Sequence, residues 1–485
     1  MDVLSYLLIY KDLVDLNQLI LLDYLAIRKS GKFFLVDSTM RIPQSPPKMN
    51  TSEEAFKAAL NRLSEPEVAG FIQNANKHYY HWNEFRHMEM PKGLNPAGVW
   101  SLLSIFRNSG AKTLPLTDKD NKPFEYCLFD SATALLHEID RSAGGVQLID
   151  SPNLADMKNQ ILVSSVMDEA ISTSQIEGAV TTIVNAREML LNEQPPRDKS
   201  ERMIANSYRT IQLIKESLGS PLTLDLLFKI QVNMTEGTLD NADAAGRFRS
   251  ADESVSVVDN ETNEVMYTPP PAELLPDRIK KLLDFANSPL EEMSFIHPLT
   301  KAAILHFWLA YEHPFVDGNG RTARALFYWY MLRNKYWLFE FISLSSVILE
   351  SKGQYYRSFL QSETAGNDLT YSILYMFQST TRALKVINEK IKKKQAEQNL
   401  MVQALKSYRD INYRQRAILH RALKHTGAMY SFQSHKNSHG ISYQSARTDI
   451  MDLVKRGFLK EIMKGKKKIF MATEKIQKLE RVKNN

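Results

Sequence analysis

Two apolar runs on either side of a short polar loop limit what this chain can become. Ala302 to Tyr311 is apolar nearly all round, and Ala325 to Leu332 is apolar again. A helix without a polar face has to be enclosed by other elements, so the first run predicts a central buried helix that delivers the chain to His313. Apolar-periodic stretches broken by turn clusters such as Asn108-Ser-Gly, Gln194-Pro-Pro and Ser288-Pro predict a mostly helical body over residues 51–378. His297 and His306 read as capping or satisfied core histidines. At 485 residues, with 44% hydrophobic and 24% charged side chains, the chain has room for two or three domains.

The loop between the runs reads His313-Pro-Phe-Val-Asp-Gly-Asn-Gly-Arg-Thr-Ala-Arg324. Gly318 and Gly320 flank Asn319 and let the backbone turn its N–H groups toward one point, an anion nest. A helix starting near Arg321 adds its N-terminal dipole to that spot. Arg321 and Arg324 lie one turn apart and can reach phosphate oxygens. Asp317 is a hard oxygen ligand suited to Mg²⁺ on a phosphate, and His313 can take a proton near neutral pH. These are the parts for handling a nucleotide polyphosphate. No P-loop Gly-x-x-x-x-Gly-Lys-(Ser/Thr) occurs, which argues against ordinary NTPase chemistry.

The same twelve residues resemble the signature of the Fic family, His-x-Phe-x-(Asp/Glu)-Gly-Asn-Gly-Arg-x-x-Arg, at every specified position. The resemblance implies a mainly α, Fic-type helical bundle that moves AMP from ATP to a Ser, Thr or Tyr hydroxyl of a protein, itself included. His313 would be the catalytic base and Asp317 the Mg²⁺ ligand. Phe315, Gly318, Asn319, Gly320, Arg321 and Arg324 would bind the nucleotide. Ser351-Lys-Gly-Gln-Tyr-Tyr356 resembles the family's paired tyrosines beside the adenine, with Tyr355 the better candidate.

Upstream, Thr173-Ser-Gln-Ile-Glu-Gly178 ends the helix-like run Ser165 to Ser174 and resembles the family's inhibitory motif, (Ser/Thr)-x-x-x-Glu-(Gly/Asn). That likeness implies that Glu177 pairs with Arg324 and blocks the site for the γ-phosphate. Read without it, Gly178 is a left-handed helix cap and Glu177 is solvated. Ser254-Val-Ser-Val-Val258 and Glu264-Val-Met-Tyr-Thr268 are β-rich runs around Asp259–Asn263, a hairpin signal. Their framing by Gly246-Arg-Phe-Arg-Ser and three prolines resembles the Fic flap. By that likeness Val265, Met266 and Tyr267 would pair through backbone with a target peptide.

The net charge of +6 hides an asymmetry: from Thr381 on there are 25 basic and 8 acidic residues, against 36 and 47 before. A basic module on an acidic body suggests a polyanionic or acidic partner, with a solvated helical surface as the other reading. Within it, Arg414–His425, Phe432–Ser438 and Ser442–Arg456 predict three helices. Two strands then lie around the basic turn Lys464–Lys468, an order that resembles a small α+β winged-helix domain. Ser442, Gln444, Ser445 and Arg447 would face a DNA groove; protein docking or homodimerisation is the alternative.

The first residues are leucine-rich, but Asp2, Lys11, Asp12, Asp15 and Asp23 interrupt every run, which predicts neither a membrane span nor a signal peptide. Pro43, Pro46 and Pro47 then break the chain before Met49, where an upstream translation start or an extension would end. Thr51-Ser-Glu-Glu54 is a capping-box pattern, and Tyr79, Tyr80 and Trp82 resemble an aromatic patch of Fic proteins. The single Cys127 fits a reducing compartment, so a cytoplasmic protein without a membrane partner is expected. The expected organisation is an extension (1–48), an N-terminal helical region (49–160), a Fic core (161–378), a charged linker helix (379–410) and a winged helix (411–476). The core would hold the inhibitory helix (165–178), the flap (254–268) and the catalytic loop (313–324). Two other functions stay open: removal of AMP, with Glu177 orienting water, and a DNA-binding regulator that senses nucleotide.

Overall fold

The computed structural model describes residues 41–47, 53–143, 155–253, 255–258, 265–289, 295–405, 410–425, 427–464 and 467–476. Most of the expected extension, Thr51 and Ser52 of the capping pattern, and the turn Asp259–Asn263 lie outside them. The described part is mainly helical.

Helices α1 (Glu53–Asn61), α2 (Pro66–His78), α3 (Trp82–Phe85) and α4 (Pro96–Ser109) close on their own apolar core, where Phe85 meets Trp100 edge to face at 5.1 Å. Proline opens α2 and α4, where its missing N–H costs nothing, and Asn95 caps α4. Tyr79 stitches this region to the rest. Its ring stacks on Phe129 at 4.8 Å and its hydroxyl donates to Asp368 at 2.7 Å.

Next comes a hairpin that the helical reading of residues 51–378 overlooks: β1 (Lys112–Thr117) pairs antiparallel with β2 (Pro123–Tyr126). Its signal is short. Leu114 and Leu116 alternate into the core, and Asn121 turns the chain at φ 61°.

Helices α5 (Asp130–Ala143), α6 (Ala155–Ile176), α7 (Ile183–Leu191), α8 (Lys199–Glu216), α9 (Leu224–Thr235) and α10 (Leu275–Asn287) precede the two central ones. In α11 (Pro298–Glu312) every residue but Ala310 is buried, and in α12 (Asn319–Arg333) every residue but Gly320 and Arg333. These are the two apolar runs of the sequence, with the loop held between them. His297 caps α11, accepting from the Leu299 N–H at 3.1 Å. Helices α13 (Leu344–Glu350), α14 (Lys352–Thr364) and α15 (Thr370–Ala404) follow.

Two expected boundaries fall inside helices. α6 begins at Ala155, so no break separates residues 160 and 161, and Ser165 lies within it. α15 runs through the 378/379 boundary because nothing from Thr370 to Ala404 is Gly or Pro. The core's last helix and the charged linker are one element.

Beyond Asp410, α16 (Tyr413–Lys424), α17 (Phe432–His439) and α18 (Tyr443–Lys455) pack on a three-stranded sheet. Its strands are β5 (Met429–Tyr430), β6 (Leu459–Lys464) and β7 (Lys467–Ala472), in the order β5-β7-β6. Leu419, Ile450, Leu453, Phe458 and Phe470 form its separate core. Ser442 caps α18. α17 rests on α6 and α7, where Asn437 Nδ2 donates to the Leu191 carbonyl at 2.8 Å.

Candidate functional site

The floor of the loop is built from groups spent on the fold. α11 ends at His313, which takes a left-handed turn at φ 46° and gives its N–H to the Leu309 carbonyl. Pro314 and Phe315 then drop into the core. Phe315 is fully buried and lies 6.3 Å from the Phe228 ring. Asn319 clamps the loop on itself: Oδ1 accepts the Phe315 N–H at 2.9 Å, and Nδ2 donates to the Phe315 carbonyl at 2.8 Å. Gly318 sits at φ 85°, a conformation open to glycine without strain, and starts α12 without a side-chain cap. Arg321 passes beneath the loop, donating to the Met234 carbonyl at 2.7 Å and to Asp317 Oδ1 at 3.3 Å.

The rim is different. His313 keeps its side chain half-exposed, with Nδ1 3.2 Å from the Ala310 carbonyl. An Nδ1–H donating there leaves the Nε2 lone pair open. Burial holds its imidazolium form down, below the ordinary imidazole range, while that carbonyl and the Glu177 charge pull the other way. Arg249 steadies the residue from behind by donating Nε–H to the His313 carbonyl at 2.9 Å. Asp317, the one carboxylate of the loop sequence, has a side chain 45% exposed.

Glu177 follows the last turn of α6, next to Gly178 at φ 93°. Its Oε1 accepts from Arg324 Nη2 at 2.7 Å, and the same guanidinium donates to Thr173 Oγ1 at 2.7 Å and to the Thr173 carbonyl at 3.1 Å. A Cβ built on Gly320 would lie 2.3 Å from that Glu177 oxygen. Only glycine admits the carboxylate there, against the uncapped first turn of α12. Burial pushes the Glu177 carboxyl up, but the Arg324 charge and hydrogen bond outweigh it and hold the group ionised below its usual range. Gly178 is left-handed, as the capping alternative has it, but Glu177 is paired with Arg324 rather than solvated. The glutamate stands where the sequence puts an anion.

His313, Asp317 and Arg324 of the loop thus stand near enough to Glu177 or to one another to feel each other's charge, with Gly320 against the glutamate. Four expected nucleotide contacts are already engaged within the fold. Phe315 is a core anchor, because no part of it reaches the surface. The Asn319 amide is engaged on both sides by Phe315 backbone. Arg321 is entirely buried and donates to the Met234 carbonyl. Tyr355 is 3% exposed, with its hydroxyl 3.0 Å from His306 Nε2. Its neighbour Tyr356 is half-buried, and both tyrosines feel the charges of Glu177 and Arg324. The sequence reading places Tyr356 second to Tyr355 and passes over Thr173 as a ligand of Arg324, although Thr173 stands in the motif quoted.

The hairpin of β3 (Val257–Val258) and β4 (Val265–Tyr267) places Val257 opposite Tyr267. Val265 is exposed, Met266 buried, and the Tyr267 hydroxyl donates to the Tyr311 carbonyl at 2.7 Å. That bond ties β4 to the last turn before His313.

Comparison with known proteins points the same way. Residues 221–331 match the Fic/DOC family. Protein adenylyltransferase fic-1 of Caenorhabditis elegans is 34% identical over 131 residues, 26% of this chain and 22% of that protein. Protein adenylyltransferase Fic of Drosophila willistoni is 27% identical over 216 residues, 40% of this chain and 41% of that one. A uridine 5'-monophosphate transferase of Xanthomonas campestris is 34% identical over 120 residues, 24% and 22% of the two chains. The matched stretches thus span less than half the length of these relatives. A solved structure of Fic-1 (residues 134–508) from C. elegans aligns with 70% of this chain and 88% of its own at 17% identity and a TM-score of 0.47. A Fic family protein from Desulfovibrio desulfuricans G20 does so over 72% and 97%, at 19% identity and 0.45. The stretch from His313 to Arg324 lies inside the residues that match the Fic/DOC family.

Proposed function

We propose that this protein transfers AMP from ATP to a hydroxyl of a protein Ser, Thr or Tyr, and that Glu177 holds the reaction in check. The observation that carries the reading is the Glu177 carboxylate seated between Arg324 and Gly320. An anion already occupies the site where a phosphate of the donor would bind, and it does so by a contact that can open.

In the reaction the target hydroxyl oxygen attacks the α-phosphorus, its proton passes to His313 Nε2, and the bond to pyrophosphate breaks. Burial favours the neutral imidazole that such a base requires. The first-turn N–H groups of α12 and the Gly318–Gly320 backbone meet the charge that grows on the α-phosphate. Arg324, once released, binds the outer phosphates. Asp317 is the residue that would hold Mg²⁺. It fits as a single exposed carboxylate, since this ion commonly uses one or two carboxylates and takes its other ligands from phosphates and water. Bound there, the ion would offset phosphate charge. The hairpin at Val265–Tyr267 is the flap that aligns a target strand, and residues 411–476 form a winged-helix domain whose partner is DNA or protein. Among the described residues no helix is long and apolar enough to cross a membrane.

Two labelled substrates test the transfer. Protein incubated with ATP labelled on the α-phosphate becomes labelled, and with ATP labelled on the γ-phosphate it does not. Label from the γ-position would make the protein a kinase instead. The Xanthomonas relative supports a second reading in which UMP is the moiety moved. Preference for α-labelled UTP over ATP at equal concentration decides for it.

A further inference from the structure

Where the C-terminal domain meets α6, positive charge has collected without a matching set of acids. Lys390 and Lys394 lie one turn apart on α15 and line the same cavity of about 170 Å³, together with Arg187 of α7 and Arg421 of α16. A second cavity of about 260 Å³ shares Gln160, Lys394 and Arg421 with the first and adds Lys424. Like charges at i and i+4 repel. Five cations thus face this space among the described residues, and two carboxylates answer them. Asp168 is spent on Arg187 and on Lys390, whose Nζ lies 3.2 Å away. Glu397 takes Lys424 at 3.0 Å.

Lys394 and Arg421 make no hydrogen bond or ion pair of their own among the described residues. Burial, together with the neighbouring lysines, pulls the Lys394 ammonium below its ordinary range despite the Glu397 charge, so its positive charge is under-compensated. Ser164 and Gln160 bring polar groups to the same walls, which suits an oxyanion better than an apolar ligand.

We propose that these joined cavities bind a phosphate-bearing small anion, held by Lys394 and Arg421 with Lys390 and Arg187 behind them. The site is distinct from the loop at His313, although its wall, Gln160 to Met167, belongs to the helix that ends before Glu177. The narrow part has room for one or two phosphate groups rather than a peptide.

The test is a titration of the full chain with pyrophosphate, followed by calorimetry, in an Arg324→Ala background that weakens the loop as a competing anion site. Saturable binding at one site is expected, and adding Lys394→Gln and Arg421→Gln should weaken it about tenfold or more. Neither side chain makes a hydrogen bond or ion pair among the described residues, so the melting temperature without ligand should change little. Saturating pyrophosphate should raise it only while both cations are present. Absent binding, or binding indifferent to the two substitutions, overturns the proposal. So does binding of duplex DNA without any of pyrophosphate, which would assign the cations to an extended phosphate backbone.

Discussion

On the floor of the loop, Phe315, Asn319 and Arg321 are tied to backbone and core; on its rim, His313, Asp317 and Arg324 are held lightly or by a carboxylate that can leave. Arg321 and Arg324 make the contrast sharpest. Both are arginines of one motif, one turn apart on α12, and both are at least 98% buried. Arg321 donates to a main-chain carbonyl of α9, a partner that moves only if the fold does. Arg324 is also anchored on a helix, through Thr173 of α6, but it alone gives a further donor to a carboxylate on a segment past that helix's end, Glu177. A motif string therefore mixes residues that build a site with residues that work in it. What separates them is the partner, not the residue type.

The largest effects should split along that line. His313→Ala is expected to cut transfer by about 10²–10⁴-fold while the urea midpoint stays where it is. Phe315→Ala should instead cost about 3–5 kcal/mol of stability, because it empties a filled core site between Phe228 and Phe248. A His313→Ala protein that transfers at a normal rate, or a Phe315→Ala protein of normal stability with lost nucleotide affinity, would dissolve the distinction between floor and rim.

Glu177→Gly should raise auto-modification about tenfold or more, since freeing Arg324 restores a charge-assisted contact worth roughly 1.5–3 kcal/mol. Arg324→Ala should lower it, and the double variant should behave as Arg324→Ala, because the released residue is missing. If Glu177→Gly loses activity and the wild type strips AMP from modified protein, Glu177 is instead a group that orients water.

A smaller effect is the pH dependence. His313 must be neutral to accept a proton, so the rate falls as pH drops through its folded-state pKa, which burial places below 6.5. The Glu177 charge pulls that value up, so the acid limb of the Glu177→Gly rate profile should lie at lower pH than that of wild type. A limb that shifts upward would mean that His313 gains a new anionic neighbour when Glu177 goes.

Much of this was legible in the chain. An all-apolar helix has no stable place but the interior, so α11 announced itself, and the glycines around Asn319 marked the turn. The Glu177 contact could be read only through a likeness, since nothing local in Thr173–Gly178 says which arginine waits 147 residues on. The β1–β2 hairpin was missed because its apolar alternation spans too few residues to outweigh helical neighbours. The members of the site whose bonds the sequence hides share one cause. Asn319, Arg321 and Tyr355 carry the right chemistry, but their partners lie in the Phe315 backbone, on α9 and at His306, and no spacing in the sequence reveals that those bonds are already made.

The smallest expected effect concerns the base of the nucleotide. Both tyrosines feel the charges of Glu177 and Arg324, but Tyr355 is buried with its hydroxyl on His306, whereas Tyr356 is only half-buried. An aromatic face against a base contributes about 0.5–1.5 kcal/mol beyond the area it covers. Tyr356→Ala should therefore raise the KM for nucleotide by roughly 2- to 12-fold and leave stability nearly unchanged. Tyr355→Phe should do the reverse, losing about 0.5–1.5 kcal/mol of stability with the hydrogen bond to His306 and leaving KM alone. Both should be measured in the Glu177→Gly background, where binding is not masked by the inhibitory contact. An unchanged KM in Tyr356→Ala would return the base to Tyr355. The pocket would then have to open before nucleotide enters, and the buried ring would join the rim.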